Sequence, residues 1–268
     1  MRLVTYDAGD GPAAGVLLGD EIAPAGASVR ALLAAGDPVC AGEERIALDG
    51  VRLLPPVPNP QKIICLGLNY RDHAKEASRE IPEEPLWFGK FSNSLIGDGA
   101  PVLLPAAHAE YVDYEAELAV VIGRPAHAVT PERALDHVAG AMPFNDVSAR
   151  DLQLQNPLWT SGKAIDTFAP CGPALVLMDE IDDLQALGLR TRVNGEVVQE
   201  GNTKDMIFGV AETVAWLSRT MTLLPGDIIA TGTPAGIGAT KGLFLHDGDS
   251  VSVEVDGLGS VTNPVRAT

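Results

Sequence analysis

In residues 112–123, VDYEAELAVVIG, two glutamates directly precede an apolar run. The sequence therefore raises the question of what stabilises two neighbouring carboxylates at the start of an apolar strand. The run at 118–123 predicts a buried strand. Because side chains alternate between the two faces of a strand, Glu115 and Glu117 point the same way. Two like charges at that spacing repel, and burial would raise their pKa values or require a cation. Taken alone, the pair is typical of a solvated strand end, since glutamate is usually exposed.

The composition limits the classes of protein that the chain can belong to. Its 268 residues, 46% of them hydrophobic, suffice for one large domain or for a domain with a small appendage. The 28 glycines and 20 prolines separate many short apolar runs, which favours a strand-rich protein over a helical bundle. Three cysteines without a CxxC motif argue against a disulfide scaffold or a cysteine zinc site, and each is expected to be a small buried hydrophobe.

The charge and the absence of export signals limit partners and location. A formal net charge of -17 argues against nucleic acid and against an anionic membrane as partners. It also means that an anionic substrate would need a local cation. The start of the chain does not resemble a signal peptide, and no apolar run approaches the length of a membrane span. The sequence therefore predicts a cytoplasmic protein.

A proline-rich stretch divides the chain into two predicted domains. Residues 1–56 predict a small N-terminal α/β domain, and four prolines in LLPPVPNPQK (53–62) predict a stiff, extended linker. Residues 57–268 contain too few helices, too unevenly placed, for a TIM barrel. The predicted fold is therefore α+β and predominantly β. The expected strands are 62–67, 101–104, 117–122, 174–177, 189–193, 227–231 and 250–255, and the expected helices are 131–136, 147–154 and 207–220.

A third carboxylate, Asp146 in FNDVSARD, changes the interpretation of the glutamate pair. Asp146 precedes a predicted helix, so a helix cap and a ligand are both open. Together with Glu115 and Glu117 it would form a hard, all-oxygen site. Such a site suits Mg²⁺, Mn²⁺ or Ca²⁺.

Two further polar stretches carry candidate catalytic groups. In NYRDHAKEA, His73 and Glu76 would be neighbours on one helix face, which is the arrangement of a general base, although this polar stretch alone favours a solvated turn. Lys163 in WTSGKAIDTFAP is either a surface lysine or, near a metal, a group that stabilises an enolate oxygen. Arg150 and Gln153 lie one helical turn beyond Asp146 and could face the same place.

The glycine-rich segment GDIIATGTPAGIG (226–238) is not a nucleotide-binding loop. It lacks the GK[ST] of a Walker A motif and the third glycine of a dinucleotide-binding fingerprint. Its backbone could still approach a small ligand closely.

In their order along the chain, these segments resemble the fumarylacetoacetate hydrolase family. The resemblance covers residues from about 62 to 265, and the small N-terminal unit resembles the variable leader of many members. It implies a mixed β-sandwich roll and a homodimer. The segments that carry it are ICLGLNYRDHAKE, YEAELAVVIG, FNDVSARDLQ, WTSGKAIDTFAPCGP, VNGEVVQEGNTKDMIF and LLPGDIIATGTPAGIG.

The resemblance also implies a function for each candidate residue. It implies Mg²⁺ or Mn²⁺, with Ca²⁺ as a substitute, and a small 2-keto acid or 2,4-diketo acid that chelates the metal. The implied metal ligands are Glu115, Glu117 and Asp146, the implied catalytic groups are His73, Glu76 and Lys163, and the implied substrate-binding residues are Arg150, Gln153, Lys163 and Thr233.

The implied reaction is hydrolysis of a carbon–carbon bond in an acylpyruvate or fumarylpyruvate, which gives pyruvate and a carboxylic acid. An oxaloacetate decarboxylase and a 2-hydroxyhepta-2,4-diene-1,7-dioate isomerase would use the same site and remain alternatives, as does a non-catalytic 2-keto acid-binding protein. The short segment between Asp146 and Lys163 resembles the isomerase branch, whereas SARD followed by glutamine resembles acylpyruvases and oxaloacetate decarboxylases. The motifs therefore leave the substrate open.

Overall fold

A computed structural model of the chain describes residues 1–26, 28–107, 110–155 and 157–268. Most of the regular structure is strand, and the helices are short, which confirms the predicted α+β, predominantly β fold. The strands are β1 (Arg2–Asp7), β2 (Pro12–Leu18), β3 (Glu21–Gly26), β4 (Ile46–Ala47), β5 (Leu53–Leu54), β6 (Ile63–Gly67), β7 (Leu86–Lys90), β8 (Leu95–Ile96), β9 (Val102–Leu104), β10 (Val112–Asp113), β11 (Ala116–Ile122), β12 (Val138–Asn145), β13 (Ser148–Ala149), β14 (Ala169–Pro170), β15 (Leu175–Leu177), β16 (Gly188–Val193), β17 (Glu196–Asn202), β18 (Ile228–Ala230), β19 (Ser250–Val255) and β20 (Gly259–Ala267).

The α-helices lie around the sheets and at the edge of the site. In the described part of the chain, every helix is too short or too polar to cross a membrane. The α-helices are α1 (Val29–Ala35), α2 (Arg71–Glu76), α3 (Pro131–Ala134), α4 (Arg150–Gln153), α5 (Thr160–Lys163), α6 (Val210–Ser218) and α7 (Gly238–Lys241).

Two sheets form the body of the protein. The larger has the strand order β4-β3-β2-β1-β15-β12-β11-β18-β6-β7, with β5 paired to β1, and the smaller has the order β17-β16-β19-β20-β9. The N-terminal strands join the larger sheet through the antiparallel pair β1–β15. The stretch 53–62, predicted as a linker, contains β5 and the buried residues 55–57, so it is part of the packed structure.

Strand β11 lies at the centre of this arrangement. It pairs with β12 on one side and β18 on the other, and all seven of its residues are buried. Leu118 and Val120 pack with the smaller sheet and with α6, whereas Ala119 and Val121 pack on the opposite face. Both faces are covered, which explains why LAVVIG is continuously apolar and not alternating.

The expected elements agree with the structure within a few residues, with two kinds of exception. The helix expected at 147–154 begins only at Arg150, because Ser148–Ala149 pairs with β10. Within residues 57–268, the longer strands β7, β12, β17 and β20 were not predicted, nor were the two-residue strands β8, β10, β13 and β14. Pro143 and Pro264 lie inside β12 and β20, and proline is a signal against a strand interior.

Candidate active site

The three predicted metal ligands meet where β11 and β12 lie side by side. The backbone N–H of Asp146 donates to the Glu115 carbonyl at 3.0 Å, and the N–H of Glu115 donates to Asn145 Oδ1 at 3.0 Å. This pairing sets the end of β12 beside the start of β11. Glu115, Glu117 and Asp146 are buried, and one carboxylate oxygen of each lies within 4.8 Å of the others. The carboxylates therefore share one small buried volume.

The environment of Glu117 fits a divalent cation. Its Oε2 accepts a hydrogen bond from the Gly232 N–H at 2.9 Å, but its buried Oε1 has no hydrogen-bond partner. A buried carboxylate oxygen without a partner is costly. Three carboxylates without thiolates or imidazoles form the donor set that Mg²⁺, Mn²⁺ and Ca²⁺ prefer. The residues present therefore fit a hard divalent cation, and they do not distinguish between these metals.

Gly232 reaches Glu117 because it has no side chain. Its φ is +92°, and an added Cβ would lie 2.8 Å from Cβ of Asn69. Asn69 itself is held by Phe208 and Thr231, so it cannot retreat. The position therefore requires glycine.

Two buried lysines balance the carboxylates. Lys163 Nζ donates to Glu115 Oε2 at 2.9 Å and to Asp146 Oδ2 at 2.7 Å. Lys90 Nζ donates to the other Asp146 oxygen and, at 3.0 Å, to the Val147 carbonyl. Asp146 is thus held by a lysine at each oxygen.

Burial and neighbouring charges set the protonation states in this cluster. Burial opposes ionisation of Glu115, but Lys163 and Arg150 outweigh it and lower its pKa to about 2. Burial raises the pKa of Glu117 well above its usual range, and Asp146 and Glu115 add to the effect. Burial would lower the pKa of Lys163, yet Asp146 and Glu115 raise it above its ordinary value. The Lys163 ammonium is thereby favoured as a hydrogen-bond donor to both carboxylates.

Arg150, at the start of α4, links the cluster to a further buried carboxylate. Its guanidinium donates to Asp113 Oδ2 at 2.6 and 2.8 Å, and it lies 2.6 Å from Glu115 Oε1. It also donates to Gln153 Oε1 at 2.8 Å, which orients that amide. Asp113 in turn accepts the backbone N–H groups of Gly238 and Ala239 at 2.7 and 2.9 Å.

A cavity of about 620 Å³ reaches the cluster at Glu115, whereas Glu117 and Asp146 do not line it. The predicted residues His73, Glu115, Arg150, Gln153, Lys163 and Thr233 all line it. Its apolar wall includes Phe88, whose ring lies 5.2 Å from Lys163 Nζ, and Trp159, which packs edge-on against Phe88. Charged groups at the base and apolar groups on the wall are typical of a small-molecule site.

His73 and Glu76 form a pair at the cavity wall. His73 Nδ1 lies 3.3 Å from Glu76 Oε2. Glu76 accepts the Gly236 N–H at 3.0 Å and the Thr240 hydroxyl at 2.8 Å. These bonds tie α2 to the loop after β18, so this polar helix is held in place and is more than a solvated turn.

Three buried groups of the site were missed at the level of sequence. Lys90 and Asp113 contact predicted residues directly. Gln199 Nε2 donates to the Thr233 hydroxyl at 2.7 Å, and its Oε1 accepts the Ala116 N–H at 2.9 Å, while Thr233 donates to the Ala116 carbonyl. Gln199 thereby fixes the backbone between the two glutamates. Its only sequence signal is its place in VNGEVVQEGN, one of the segments of the resemblance.

Comparison with known proteins agrees with this geometry. Residues 62–266 match the family model described as fumarylacetoacetate (FAA) hydrolase, C-terminal, and residues 1–56 match Rv2993c-like, N-terminal. The chain is 46% identical over 224 residues to the oxaloacetate tautomerase fahd2, mitochondrial, of Xenopus laevis, covering 82% of this chain and 70% of that protein.

Two solved structures share the whole architecture. A 2-hydroxyhepta-2,4-diene-1,7-dioate isomerase from Mycobacterium marinum is 37% identical with a TM-score of 0.86, covering 100% of this chain and 99% of its own. A fumarylacetoacetate hydrolase from Exiguobacterium antarcticum is 36% identical with a TM-score of 0.91, and both chains are covered completely.

The fold and the buried carboxylate cluster thus define an enzyme with a candidate site for a divalent metal. The chain belongs to the fumarylacetoacetate hydrolase family, which confirms the predicted resemblance. The named relatives, a tautomerase and an isomerase, support the predicted alternative reactions better than the predicted hydrolysis.

Proposed function

We propose that this protein is a metal-dependent isomerase that interconverts the enol and keto forms of a 2-oxo acid of the oxaloacetate type. One observation carries the proposal. The cavity is lined by Glu115, one of three clustered buried carboxylates, and by His73, whose Nδ1 lies 3.3 Å from Glu76 Oε2. The similarity to the tautomerase and the isomerase supports this choice.

The base of the cavity would bind the 2-oxo acid group. Glu115, Glu117 and Asp146 would hold Mg²⁺ or Mn²⁺, which supplies Lewis-acid polarisation of the substrate's oxygen atoms when bound. Lys163 stays protonated, so its ammonium can donate a hydrogen bond to the oxygen on carbon 2 as negative charge develops there. The Arg150–Gln153 pair would orient the carboxylate end of the substrate.

The His73–Glu76 pair would move the proton. Glu76 faces Nδ1, which leaves Nε2 as the nitrogen that can face the substrate. In ketonisation, carbon 3 would gain a proton from His73, and the 2-hydroxyl proton would pass to solvent, from which His73 is reprotonated. The proton count is then unchanged and no water is consumed. Since the Gly236 N–H and the Thr240 hydroxyl fix Glu76, the imidazole is held in one orientation throughout.

The test is the disappearance of enol-oxaloacetate, followed by ultraviolet absorbance, with Mg²⁺ or with EDTA. We expect His73→Gln to reduce the rate by about 10²- to 10⁴-fold, the usual contribution of a positioned acid–base group. His246→Gln, at a histidine whose side chain is 75% exposed and which does not line the cavity, is the matched control. Turnover that persists in EDTA, or an equal effect of both substitutions, would contradict the proposal.

Hydrolysis of a 2,4-diketo acid is the second candidate. The His73–Glu76 pair favours it, because the same pair could deprotonate a water for attack on carbon 4. Release of pyruvate and acetate from acetylpyruvate would support hydrolysis. Release of CO₂ from oxaloacetate would instead indicate decarboxylation, since that reaction passes through the same enolate without an attacking water.

A further inference from the structure

The cations around the cavity differ in how far their charge is already balanced. Lys163 contacts Glu115 and Asp146, and Arg150 contacts Asp113 and Glu115. Arg79 also lines the cavity. Across residues 1–26, 28–107, 110–155 and 157–268, its side chain forms no ion pair or hydrogen bond. Its positive charge is therefore available to a ligand.

Arg79 lines the cavity with an exposed side chain, whereas the carboxylates of the cluster are buried. Its backbone N–H donates to the Ala74 carbonyl at 2.9 Å, which connects it to α2, and its side chain is exposed. Arg79 also lines a second, more open cleft. Leu68 and Leu86 likewise line both the cavity and this cleft. A substrate bound by one end at the base of the cavity would extend along an apolar wall toward Arg79.

The negative net charge of the protein disfavours a substrate with two carboxylates unless a cation such as Arg79 lies close to the second one. The formal net charge is -17, and the two buried cations that line the cavity, Arg150 and Lys163, are already paired with carboxylates. A second substrate carboxylate would meet unfavourable charge without a local cation. A guanidinium can donate two parallel hydrogen bonds to one carboxylate. Glu80 and Glu83 border the same cleft, but neither is paired with Arg79 within the described ranges.

We propose that Arg79 is a specificity-determining residue that binds the distal carboxylate of a dicarboxylic 2-oxo acid. The inference rests on the proposed function, because it assumes that the 2-oxo acid end is bound at the base of the cavity. Arg79 is solvated when no ligand is present, so a monocarboxylic 2-oxo acid leaves no buried charge unpaired. Arg79 thus adds affinity for dicarboxylates and leaves that for monocarboxylates unchanged.

Isothermal titration in Mg²⁺ with a matched pair of ligands tests this assignment. The ligands are 2-oxoglutarate and 2-oxopentanoate, which have the same chain length and differ in the distal carboxylate. Arg79→Gln should weaken 2-oxoglutarate binding by about tenfold or more, the typical loss of a charge-assisted hydrogen bond. It should change 2-oxopentanoate binding by less than about twofold, and Arg79→Lys should lie between wild type and Arg79→Gln.

Arg71→Gln is the control for long-range charge. Arg71 lies on α2, the helix whose Ala74 carbonyl accepts the Arg79 N–H. It is exposed and lines neither cavity, yet its substitution alters the net charge equally. An equal effect of Arg71→Gln and Arg79→Gln would overturn the assignment, as would equal weakening of both ligands in Arg79→Gln. If wild type binds and isomerises monocarboxylic and dicarboxylic 2-oxo acids equally well, only the assignment of Arg79 fails. If wild type neither binds nor turns over any 2-oxo acid in Mg²⁺ or Mn²⁺, the proposed function fails with it.

Discussion

Replacing Lys90 with methionine would remove one charge from the buried network and preserve most of the side-chain volume. The lost ammonium donates to Asp146 and to the Val147 carbonyl, and the side chains of Lys90 and Asp146 are both 0% exposed. Removing one partner of a buried ion pair costs about 3–5 kcal/mol. Because Asp146 keeps Lys163 at 2.7 Å, we expect the lower value, about 3 kcal/mol. In a chain of this size that loss lowers Tm by roughly 6–12 °C.

Circular dichroism melts in EDTA and in saturating Mg²⁺ would measure the effect of Lys90→Met. A divalent cation beside Asp146 would supply part of the missing positive charge, so the loss should be smaller in Mg²⁺. Lys62→Met is the control, because Lys62 pairs at 2.7 Å with the buried Asp227 but is itself 28% exposed, so water can replace it. A Tm within about 2 °C of wild type would refute the buried-pair argument. An equal loss in the two solutions would refute a cation at Asp146.

Mg²⁺ at about 100 times its Kd should stabilise wild type by about 2.7 kcal/mol and so raise its Tm. Glu117→Gln should abolish both this rise in Tm and the heat of Mg²⁺ binding measured by titration calorimetry. An unchanged Kd would exclude Glu117 as a ligand. Gly232→Ala should cost roughly 2–4 kcal/mol in urea unfolding, because the left-handed backbone and the close asparagine both oppose a Cβ; wild-type stability would contradict this packing. In thiol titration the native protein should react once, at the exposed Cys40. Burial raises the pKa of Cys65 well above its usual range and that of Cys171 to about 12, so these two should react only after unfolding; three fast thiols would contradict their burial.

Local patterns in the sequence predicted part of the fold and part of the site. Alternation along a strand is enough to set Glu115 and Glu117 on one face. The apolar run after them is enough to predict β11, because a strand covered on both faces has no polar side. Cys40, expected to be buried like the other cysteines, is exposed, because it lies in a stretch without regular structure outside the sheets.

The site residues that were missed depend on contacts between segments far apart in the sequence. Lys90 lies at the end of an edge strand, where a lysine is ordinarily solvated, and only its contact with Asp146 shows why it is buried. Gln199 lies on an outer strand of the smaller sheet and reaches β11 from there. The local sequences WFGKF and VVQEG do not indicate that Lys90 contacts Asp146 or that Gln199 contacts β11, because both contacts join segments far apart in the chain. Strands β12 and β20 were missed for a different reason, because each contains a proline that its neighbours in the fold tolerate.

The loop after β18 gives its backbone N–H groups to three different carboxylates, Glu117 from Gly232, Glu76 from Gly236 and Asp113 from Gly238. The proposed proton-transfer pair, the candidate cation site and the anchor of Arg150 are therefore aligned by one short piece of main chain. One added residue between 232 and 236 would shift Gly236 and Gly238 relative to Gly232, so the three bonds could no longer form together. The segment 79–84, which carries Arg79, contributes to none of these bonds. With the role proposed for Arg79, substrate preference would be changed in that segment while the spacing of the glycine-rich loop stays fixed.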